Sequence, residues 1–394
     1  MFQLADFTCF EKVKMKIVRR VMGRYFLQYL FVCLTCIFCF SCSSDDNPEP
    51  EPEKPSSEDP GFPWEEERTQ ILSTRDMVLI YGGGAHRTTV WDKEHLSSYV
   101  TYKDETGKEH WLFDSFLFLE IHNGKDKMFA SGYTQTPANQ RDWMDLVDYY
   151  FQSKIAVGAL DKCIGEAAER IGKPSEKHKI VIGLPEPIFG QKDWGSLKDG
   201  IMLDFSSSLD RIDACKWYID YVRKKFKALK VANIELAGFY WIAEEATNTR
   251  TIVRDIAAYL NELKYSFNWI PYFNSDGYNE WKNLRFNYAF LQPNYFFNET
   301  VPYSRLDEAC QIAIKNGMDM EVEFDENVLS VNNGGGRLYD YMKAFKENNV
   351  WNSKRLAYYQ GNSALYLLSV SADPSDNRLY HEFCHFIIER PGIK

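Results

Sequence analysis

The sequence has no excess of basic charge, and this limits its partners. Its 394 residues carry 46 Lys and Arg against 56 Asp and Glu, a formal net charge of −10. Residues 1–41 hold six Lys or Arg and two acidic residues, a net +4, which leaves −14 for the remaining residues. A chain this acidic is poorly suited to binding nucleic acid or an anionic membrane surface. We therefore expect neither as a partner.

The chain also lacks the cysteine and glycine patterns of common cofactor sites. The triplet Gly82-Gly83-Gly84 does not have GxGxxG spacing, and no acidic residue stands where one would bind a ribose. We therefore predict no cofactor. Past residue 42 the cysteines show neither close pairs nor zinc-like spacing, so we expect buried free thiols rather than disulfides. These cysteines are Cys163, Cys215, Cys310 and Cys384.

The first 41 residues contain no apolar run long enough for a confident membrane span. Six basic residues precede an apolar stretch at positions 25–40, which is the pattern of a secretory signal peptide. The pair Ser41-Cys42, followed by Asp45 and Asp46, resembles the lipobox and surface-export signal of lipoproteins in Bacteroides-like bacteria. The resemblance implies that Cys42 is lipidated after removal of residues 1–41. It also implies an outer membrane lipoprotein, exposed at the cell surface and attached only by its lipid. An ordinary secretory signal cleaved nearby is the alternative.

A tether and one domain are predicted to follow the leader. Residues 45–63 are rich in Pro, Glu, Ser and Asp, a composition that cannot bury enough apolar area to fold. We predict a disordered tether over residues 42–64 and a single domain over residues 65–394. With 45% hydrophobic residues the chain can bury a large core. One barrel of roughly 250 to 400 residues would account for the rest of the chain.

Short apolar runs alternate with amphipathic helical patterns along this domain. Eight such units predict parallel strands that close into a single α/β (β/α)8 TIM barrel, and no fixed-period repeat favours a solenoid. A hairpin is predicted within residues 99–111. The predicted strands are residues 76–83, 116–122, 179–187, 234–243, 267–273, 288–297, 318–324 and 355–360. The predicted helices are residues 140–151, 155–171, 209–229, 251–263, 304–316, 336–348, 363–370 and 378–388.

Two of the predicted strands end in carboxylates. Residues 234–245 (IELAGFYWIAEE) indicate an interior parallel strand with Glu244 and Glu245 at its C-terminal tip, the end that carries catalytic residues in such barrels. In the seventh strand Glu321, Glu323 and Asp325 alternate and so share one face. Acids facing the helices would be buried at high cost, so we predict that they point into the barrel. Solvent-facing or salt-bridged acids without chemistry are the alternative.

Other polar and aromatic side chains fall at the predicted C-terminal strand ends. Sugar rings offer apolar faces for stacking and hydroxyls for hydrogen bonds, and their cleavage needs two carboxylates, so this set predicts a carbohydrate site. Aromatic residues on strands are more often core residues, which is the alternative for those in the set. The candidate substrate-binding residues are Tyr81, Glu120, His122, Glu186, Trp241, Tyr272, Asn274, Gln292, Asn294, Tyr295, Asp325, Tyr359 and Gln360.

Acids at the tips of strands four and seven resemble the arrangement in clan-A-like retaining glycoside hydrolases. Ala243 precedes Glu244 where that clan has Asn, which removes the usual contact to the sugar 2-hydroxyl. The leader and the segments GFYWIAEE and EVEFDE resemble a bacterial lipoprotein family, the domain of unknown function 4855. The resemblance implies Glu244 as general acid/base and Glu323 as nucleophile or second carboxylate. Glu245 and Glu321 form the second possible pair.

A competing motif lies near the C-terminal end. Residues 381–385 read HEFCH, a literal HExxH, which on a helix could place His381 and His385 one turn apart for zinc. A zinc peptidase needs a third ligand, and only nine residues follow His385. We therefore predict a helix with two surface histidines and no metal site.

Three functions remain open from the sequence. The first is a cell-surface glycoside hydrolase, the second a non-catalytic glycan-binding lipoprotein on a barrel scaffold, and the third a zinc peptidase. The acids of strands four and seven favour the first. Carbohydrate is accordingly the predicted partner.

Overall fold

The structure is a computed structural model that describes residues 74–198 and 200–391. The predicted leader, the predicted tether at residues 42–64 with Cys42, and residues 65–73 of the predicted domain lie outside the described residues. Within the described part, no helix combines the length and apolar character needed to cross a membrane.

Eight parallel strands form a closed barrel, in which each strand pairs with its sequence neighbours and the last strand pairs with the first. The predicted (β/α)8 barrel is therefore confirmed. The strands are Asp76–Tyr81 (β1), Ser115–Leu119 (β2), His178–Leu184 (β3), Ile234–Trp241 (β4), Ser266–Trp269 (β5), Tyr288–Leu291 (β6), Asp319–Phe324 (β7) and Leu356–Gln360 (β8).

Helices and short strand pairs surround the barrel. The helices are Lys93–Val100 (α1), Gln140–Tyr150 (α2), Ala156–Ile171 (α3), Ser208–Leu229 (α4), Val253–Glu262 (α5), Ser304–Asn316 (α6), Gly335–Glu347 (α7), Val350–Ser353 (α8), Ala364–Val370 (α9) and Pro374–Ile388 (α10). The predicted hairpin is present as Thr101–Lys103 paired with Glu109–Trp111. Two further pairs lie in loops, Lys127–Met128 with Thr136–Pro137 and Ser196–Lys198 with Ile201–Met202.

Strands β5 and β6 end earlier than predicted, at Trp269 and Leu291. A proline follows each end by two residues, Pro271 after β5 and Pro293 after β6. Proline has no backbone N–H to donate to a strand ladder, so regular pairing stops there. The residues beyond these ends therefore belong to loops at the barrel mouth.

The connections after β1 and β5 bear on the prediction of eight strand–helix units. Helix α1 was not predicted, although Asp92 caps it by accepting a hydrogen bond from the backbone N–H of His95 at 3.1 Å. Between β5 and β6, residues 270–287 contain only a 3-10 turn at Tyr278–Glu280 and no α-helix. The eight predicted strand–helix units are therefore incomplete at this connection.

A buried ion pair ties the C-terminal part of the chain to β1. Arg390 Nε lies 2.9 Å from Asp76 Oδ1, and both side chains are 0% exposed. The Tyr358 hydroxyl donates to the same oxygen at 2.5 Å, and Arg75 Nε donates to Asp76 Oδ2 at 2.6 Å. Asp76 begins β1, so this network closes the end of the barrel opposite to the strand tips.

The cysteines past residue 42 lie on helices as buried free thiols, as predicted. They are Cys163, Cys215, Cys310 and Cys384.

Candidate active site

The two glutamates of β7 point into the barrel. The opposite face of β7 packs against the helices: the ring of Phe324 contacts Phe383 of α10, with centroids 5.1 Å apart. Side chains alternate along a strand, so Glu321 and Glu323 face the interior. They are 2% and 0% exposed. Their register partners on β8 are Ala357 and Tyr359, which places Glu321 deeper and Glu323 nearer the mouth.

Two donors hold one oxygen of Glu323. Its Oε2 accepts hydrogen bonds from the Tyr341 hydroxyl at 2.6 Å and from the backbone N–H of Asn294 at 2.7 Å. The Gln292 side chain acts on the same carboxyl by lowering its pKa, against the effect of burial. The other oxygen, Oε1, is buried without a partner among the described residues. The carboxyl is thus fixed in orientation with one oxygen uncommitted.

Burial makes both β7 carboxyls weak acids. Desolvation, then the charges of Glu323 and Glu244, raise the pKa of Glu321 well above its usual value. Desolvation also raises the pKa of Glu323, against the opposing effect of its hydrogen bonds, and the Glu244 charge adds to the rise. Like charges this close cannot all ionise together, so Glu321 is expected to be a neutral acid at neutral pH.

The two glutamates after β4 face different neighbours. The strand ends at Trp241, and both acids are partly buried in the loop that follows. Glu244 acts electrostatically on Glu321 and Glu323. Glu245 instead accepts a hydrogen bond from the Tyr272 hydroxyl at 3.0 Å and lies beside Glu186. Of the two acids, Glu244 is therefore the one that the structure brings together with the acids of β7.

Tyrosines from several strand ends surround Glu244. After burial, its charge contributes to the raised pKa values at each of them. At Tyr272, burial first, then Glu245 and then Glu244, raise the pKa to about 12. Sequence reasoning missed Tyr133, because it lies in an irregular loop where no periodicity marks it. The surrounding tyrosines are Tyr81, Tyr133, Tyr240 and Tyr272.

Aromatic rings also line the mouth beside β1 and β8. The ring of Tyr359 makes edge contacts with Tyr81 at 5.5 Å and with Phe297 at 5.6 Å. Phe297 is 40% exposed, and it was not among the predicted site residues. These three rings form an apolar edge that reaches from the interior to solvent.

Glu120 and His122 are committed to neighbours from the loop after β1. Both oxygens of Glu120 accept from Arg87, from Nε and Nη2 at 2.7 Å each, and the carboxylate is fully buried. The His122 ring stacks on His86 with centroids 4.0 Å apart. Burial lowers the pKa of His122, and lowers that of His86 to about 4, so both are neutral at neutral pH. The sequence carried no signal for Arg87 as the partner of Glu120.

The remaining predicted residues lie in the loops after β3, β5 and β6, where they contact other loop residues. Glu186 Oε2 accepts from the backbone N–H and hydroxyl of Ser131 at 2.8 and 2.6 Å. Tyr272 and Gln292 pair as an isolated bridge between the loops after β5 and β6. Asn274 and Asn294 adopt left-handed backbone angles, with φ of 60° and 53°. Asn294 contributes its backbone N–H to Glu323 rather than its side chain.

Four predicted substrate-binding residues instead support the fold. Trp241 is fully buried on the helix-facing side of β4, against Phe267, because alternation turns Tyr240 inward and Trp241 outward. The Tyr295 hydroxyl donates to Asp340 at 2.6 Å. Gln360 is buried and accepts from the Tyr99 hydroxyl at 2.9 Å, while Asp325 caps a 3-10 turn by accepting from the Asn327 N–H at 2.8 Å. The residues corrected in this way are Trp241, Tyr295, Asp325 and Gln360.

The histidines of the HExxH sequence lie on α10 and contact the hairpin that precedes β2. His381 Nδ1 is 2.6 Å from the Tyr102 hydroxyl, and His385 Nε2 is 3.1 Å from a Glu105 oxygen. Each imidazole therefore has a hydrogen-bond partner within the fold. In residues 74–198 and 200–391, no group of three or more His, Cys, Asp or Glu side chains is placed to hold a metal ion.

Fold and site together define a (β/α)8 barrel protein with glutamates from β4 and β7 at its mouth. A family model described as "Domain of unknown function (DUF4855)" matches residues 76–385, and the chain belongs to this family. No curated protein matches the chain.

Solved structures show only remote likeness. The ICChI chitinase from Ipomoea carnea is 10% identical with a TM-score of 0.41, covering 79% of this chain and 99% of its own. A GH18 chitinase from Pseudoalteromonas aurantia is 11% identical with a TM-score of 0.37, covering 74% and 98%. A Rubisco from Pyrococcus horikoshii OT3 is 6% identical with a TM-score of 0.37, covering 82% and 62%. Likeness this distant selects no activity, and the barrel assignment stands on the closed sheet itself.

Proposed function

We propose that this protein is a glycoside hydrolase whose working carboxyls are Glu244 and Glu323. The observation that supports it most is that Glu244, after β4, lies near enough to the buried acids of β7 for its charge to raise their pKa values, inside a tyrosine-lined mouth. Pairs of carboxyls whose surroundings separate their pKa values are the usual means of acid–base division in glycoside cleavage. The partner is accordingly a carbohydrate.

The two carboxyls differ in their surroundings. Glu244 is partly buried and is the proposed proton donor to the glycosidic oxygen, after which the C–O bond breaks and the leaving sugar departs as an alcohol. Glu323 has one oxygen held by donors and the other uncommitted, which suits attack on the anomeric carbon. Water then displaces Glu323, giving its hydroxyl to the anomeric carbon and its proton to Glu244. In the inverting alternative Glu323 takes the proton of an attacking water instead.

The apolar edge formed by Tyr81, Tyr359 and Phe297 supports sugar as the ligand. Aromatic faces stack on the apolar faces of sugar rings, and an exposed phenylalanine beside a polar cleft is otherwise costly. The protein's predicted attachment to the cell surface through Cys42 is part of the same proposal, because an anchored hydrolase acts on glycans outside the cell.

The test is turnover of a panel of polysaccharides and aryl glycosides by the purified protein and four variants. Glu244→Gln and Glu323→Gln are each expected to lower kcat/KM on the best substrate by about 10²-fold or more. Glu245→Gln is the matched comparison, the neighbouring acid directed at Tyr272, and is expected to cost far less. If Glu245→Gln and Glu321→Gln abolish turnover while Glu244→Gln and Glu323→Gln do not, the second pair does the work.

A glycan-binding protein without catalysis is the second candidate, and the burial of Glu323 favours it. At 0% exposure this carboxyl cannot touch a sugar until side chains above it move. In that case the rim would bind sugar without cleavage. Calorimetry would then show glycan binding that Phe297→Ala weakens and Glu323→Gln leaves intact, with no product formed by either.

A further inference from the structure

Helix α7 presents three polar side chains to β7 and to the loop after β6. Arg337, Asp340 and Tyr341 are spaced i, i+3 and i+4, so they lie on one side of the helix. The Tyr341 hydroxyl donates to Glu323 Oε2 at 2.6 Å, and Asp340 accepts from the Tyr295 hydroxyl at 2.6 Å. One side of this helix therefore contacts both the candidate carboxyl of β7 and the loop beside it.

Arg337 contacts that loop at several points. Its Nη2 donates to the backbone carbonyl of Tyr295 and lies 3.0 and 3.2 Å from the carbonyl oxygens of Asn298 and Val301. The guanidinium also lies over the Tyr295 ring, with Cζ 3.6 Å from the ring centroid. A planar guanidinium can stack on a ring and donate hydrogen bonds at the same time. Residues 295–301 are thus held around one side chain.

The same segment of chain supplies two groups to the candidate site. Asn294 donates its backbone N–H to Glu323 Oε2 at 2.7 Å. Its φ of 53° lies in the left-handed region, which a residue other than glycine keeps only when surrounding contacts hold it there. Three residues later Phe297 is 40% exposed, with its ring 5.6 Å from that of Tyr359. A contact deep in the mouth and a ring at its rim therefore depend on one short loop.

We propose that Arg337 is a positioning residue that fixes residues 294–301, keeping the Asn294 N–H on Glu323 and the Phe297 ring at the rim. This rests on the proposed function, in which Glu323 is the nucleophile or base and Phe297 contacts sugar. Arg337 acts through the loop and not through contact with the substrate.

Loss of Arg337 is expected to act differently at the two ends of the loop. A hydrogen bond donated to a carboxylate stabilises its ionised form, so the Asn294 N–H lowers the pKa of Glu323 against the larger effect of burial. When the loop shifts, this contribution is lost and the pKa of Glu323 rises further. The acidic limb of kcat/KM, which reports ionisation of the nucleophile or base, then moves to higher pH. At the rim, displacement of the Phe297 ring raises KM.

The experiment is the titration of Glu323 in full-length protein carrying ¹³C-labelled glutamate carboxyls. The Glu323 signal is identified by its loss in Glu323→Gln. Arg337→Met removes the guanidinium and is expected to raise the midpoint by about one pH unit, with a similar shift in the acidic limb of kcat/KM. Arg170→Met is the control, because it removes a guanidinium that bonds Glu109, in the hairpin that precedes β2. It is expected to move neither quantity.

Three milder variants test the same loop. Arg337→Lys keeps the charge but loses the planar stack on Tyr295, and Tyr295→Phe loses the bond to Asp340. Each should raise the Glu323 midpoint by less than Arg337→Met does. Phe297→Ala removes the ring and leaves the loop tied, so it should raise KM with the midpoint unchanged.

The outcomes separate this proposal from the proposed function. An unchanged Glu323 midpoint in folded Arg337→Met, or an equal rise in Arg170→Met, overturns the positioning role at any level of activity. If Arg337→Met does not fold, unchanged midpoints in Arg337→Lys and Tyr295→Phe overturn it. A raised midpoint in a protein that cleaves no glycoside supports the positioning of Glu323 and refutes the hydrolase.

Discussion

Replacing Glu323 by glutamine is expected to remove activity and raise stability at the same time. Glutamine has nearly the same shape, and its amide oxygen can accept from Tyr341 and from the Asn294 N–H as Oε2 does now. The hydrogen-bonded frame is therefore retained. What disappears is a buried charge close to Glu321 and Glu244.

The sign of the stability change follows from the raised pKa of Glu323. The folded-state pKa of Glu323 is raised above the value of about 4.3 expected in the unfolded chain. Such a group costs nothing well below pH 4 and destabilises the fold increasingly as pH rises toward its folded pKa. Each unit of the rise is worth about 1.4 kcal/mol, and for a domain of this size 1 kcal/mol is about 2–4 °C in Tm. We expect Glu323→Gln to raise Tm by at least about 2 °C at pH 8.

The assay is thermal unfolding of the wild type and of Glu323→Gln between pH 4 and pH 9. The gain in Tm should be smallest at pH 4 and should grow with pH. Glu347→Gln is the control, since this acid lies on α7 and bonds the exposed Tyr303 hydroxyl, away from the mouth. If Glu323→Gln is less stable than wild type at pH 8, and its Tm depends on pH as the wild-type Tm does, then the pKa of Glu323 is not raised by burial in the folded protein.

Three further predictions concern the leader, the acid and the closed end of the barrel. Cys42→Ala should release the protein from the membrane fraction, as followed by immunoblotting of fractionated cells, and continued sedimentation with membranes would contradict lipid attachment. Glu244→Gln should slow substrates with poor leaving groups far more than aryl glycosides that leave without protonation, and equal slowing in kcat/KM across leaving groups would remove Glu244 as the acid. Arg390→Met leaves the buried Asp76 without one partner and should cost about 3–5 kcal/mol in denaturant unfolding, whereas Arg378→Met, at an exposed site on α10, should cost under about 0.5 kcal/mol.

The barrel was predictable because its signals are local. Eight apolar runs separated by helical patterns admit few arrangements, and each observed strand overlaps its predicted run. The ends were harder to place. Strands β5 and β6 stop where Pro271 and Pro293 interrupt the ladder. This signal is also local, but the predicted strands run past both prolines. Helix α1 was missed although Asp92 marks its beginning.

The candidate site, like the fold, could be predicted only where its signals are local. Alternation along β7 predicted that Glu321 and Glu323 would face inward, because a period of two needs no knowledge of the partner strands. The same rule, applied to β4, would have turned Trp241 toward the helices once Tyr240 was placed inside. Tyr295 could not be assigned from its position, since its partner Asp340 comes from a helix 45 residues further along the chain.

The sequence by itself determined the class of fold, the direction of the β7 acids and the presence of glutamates at two strand ends. These follow from periodicity and from which end of a parallel strand carries the loop. Only the tertiary structure decided that Glu244 rather than Glu245 adjoins the β7 acids and that Arg87 neutralises Glu120. Each of these depends on the distance between side chains from separate loops. Such distances are set by how the closed barrel brings its strand ends together, and no spacing along the chain records them.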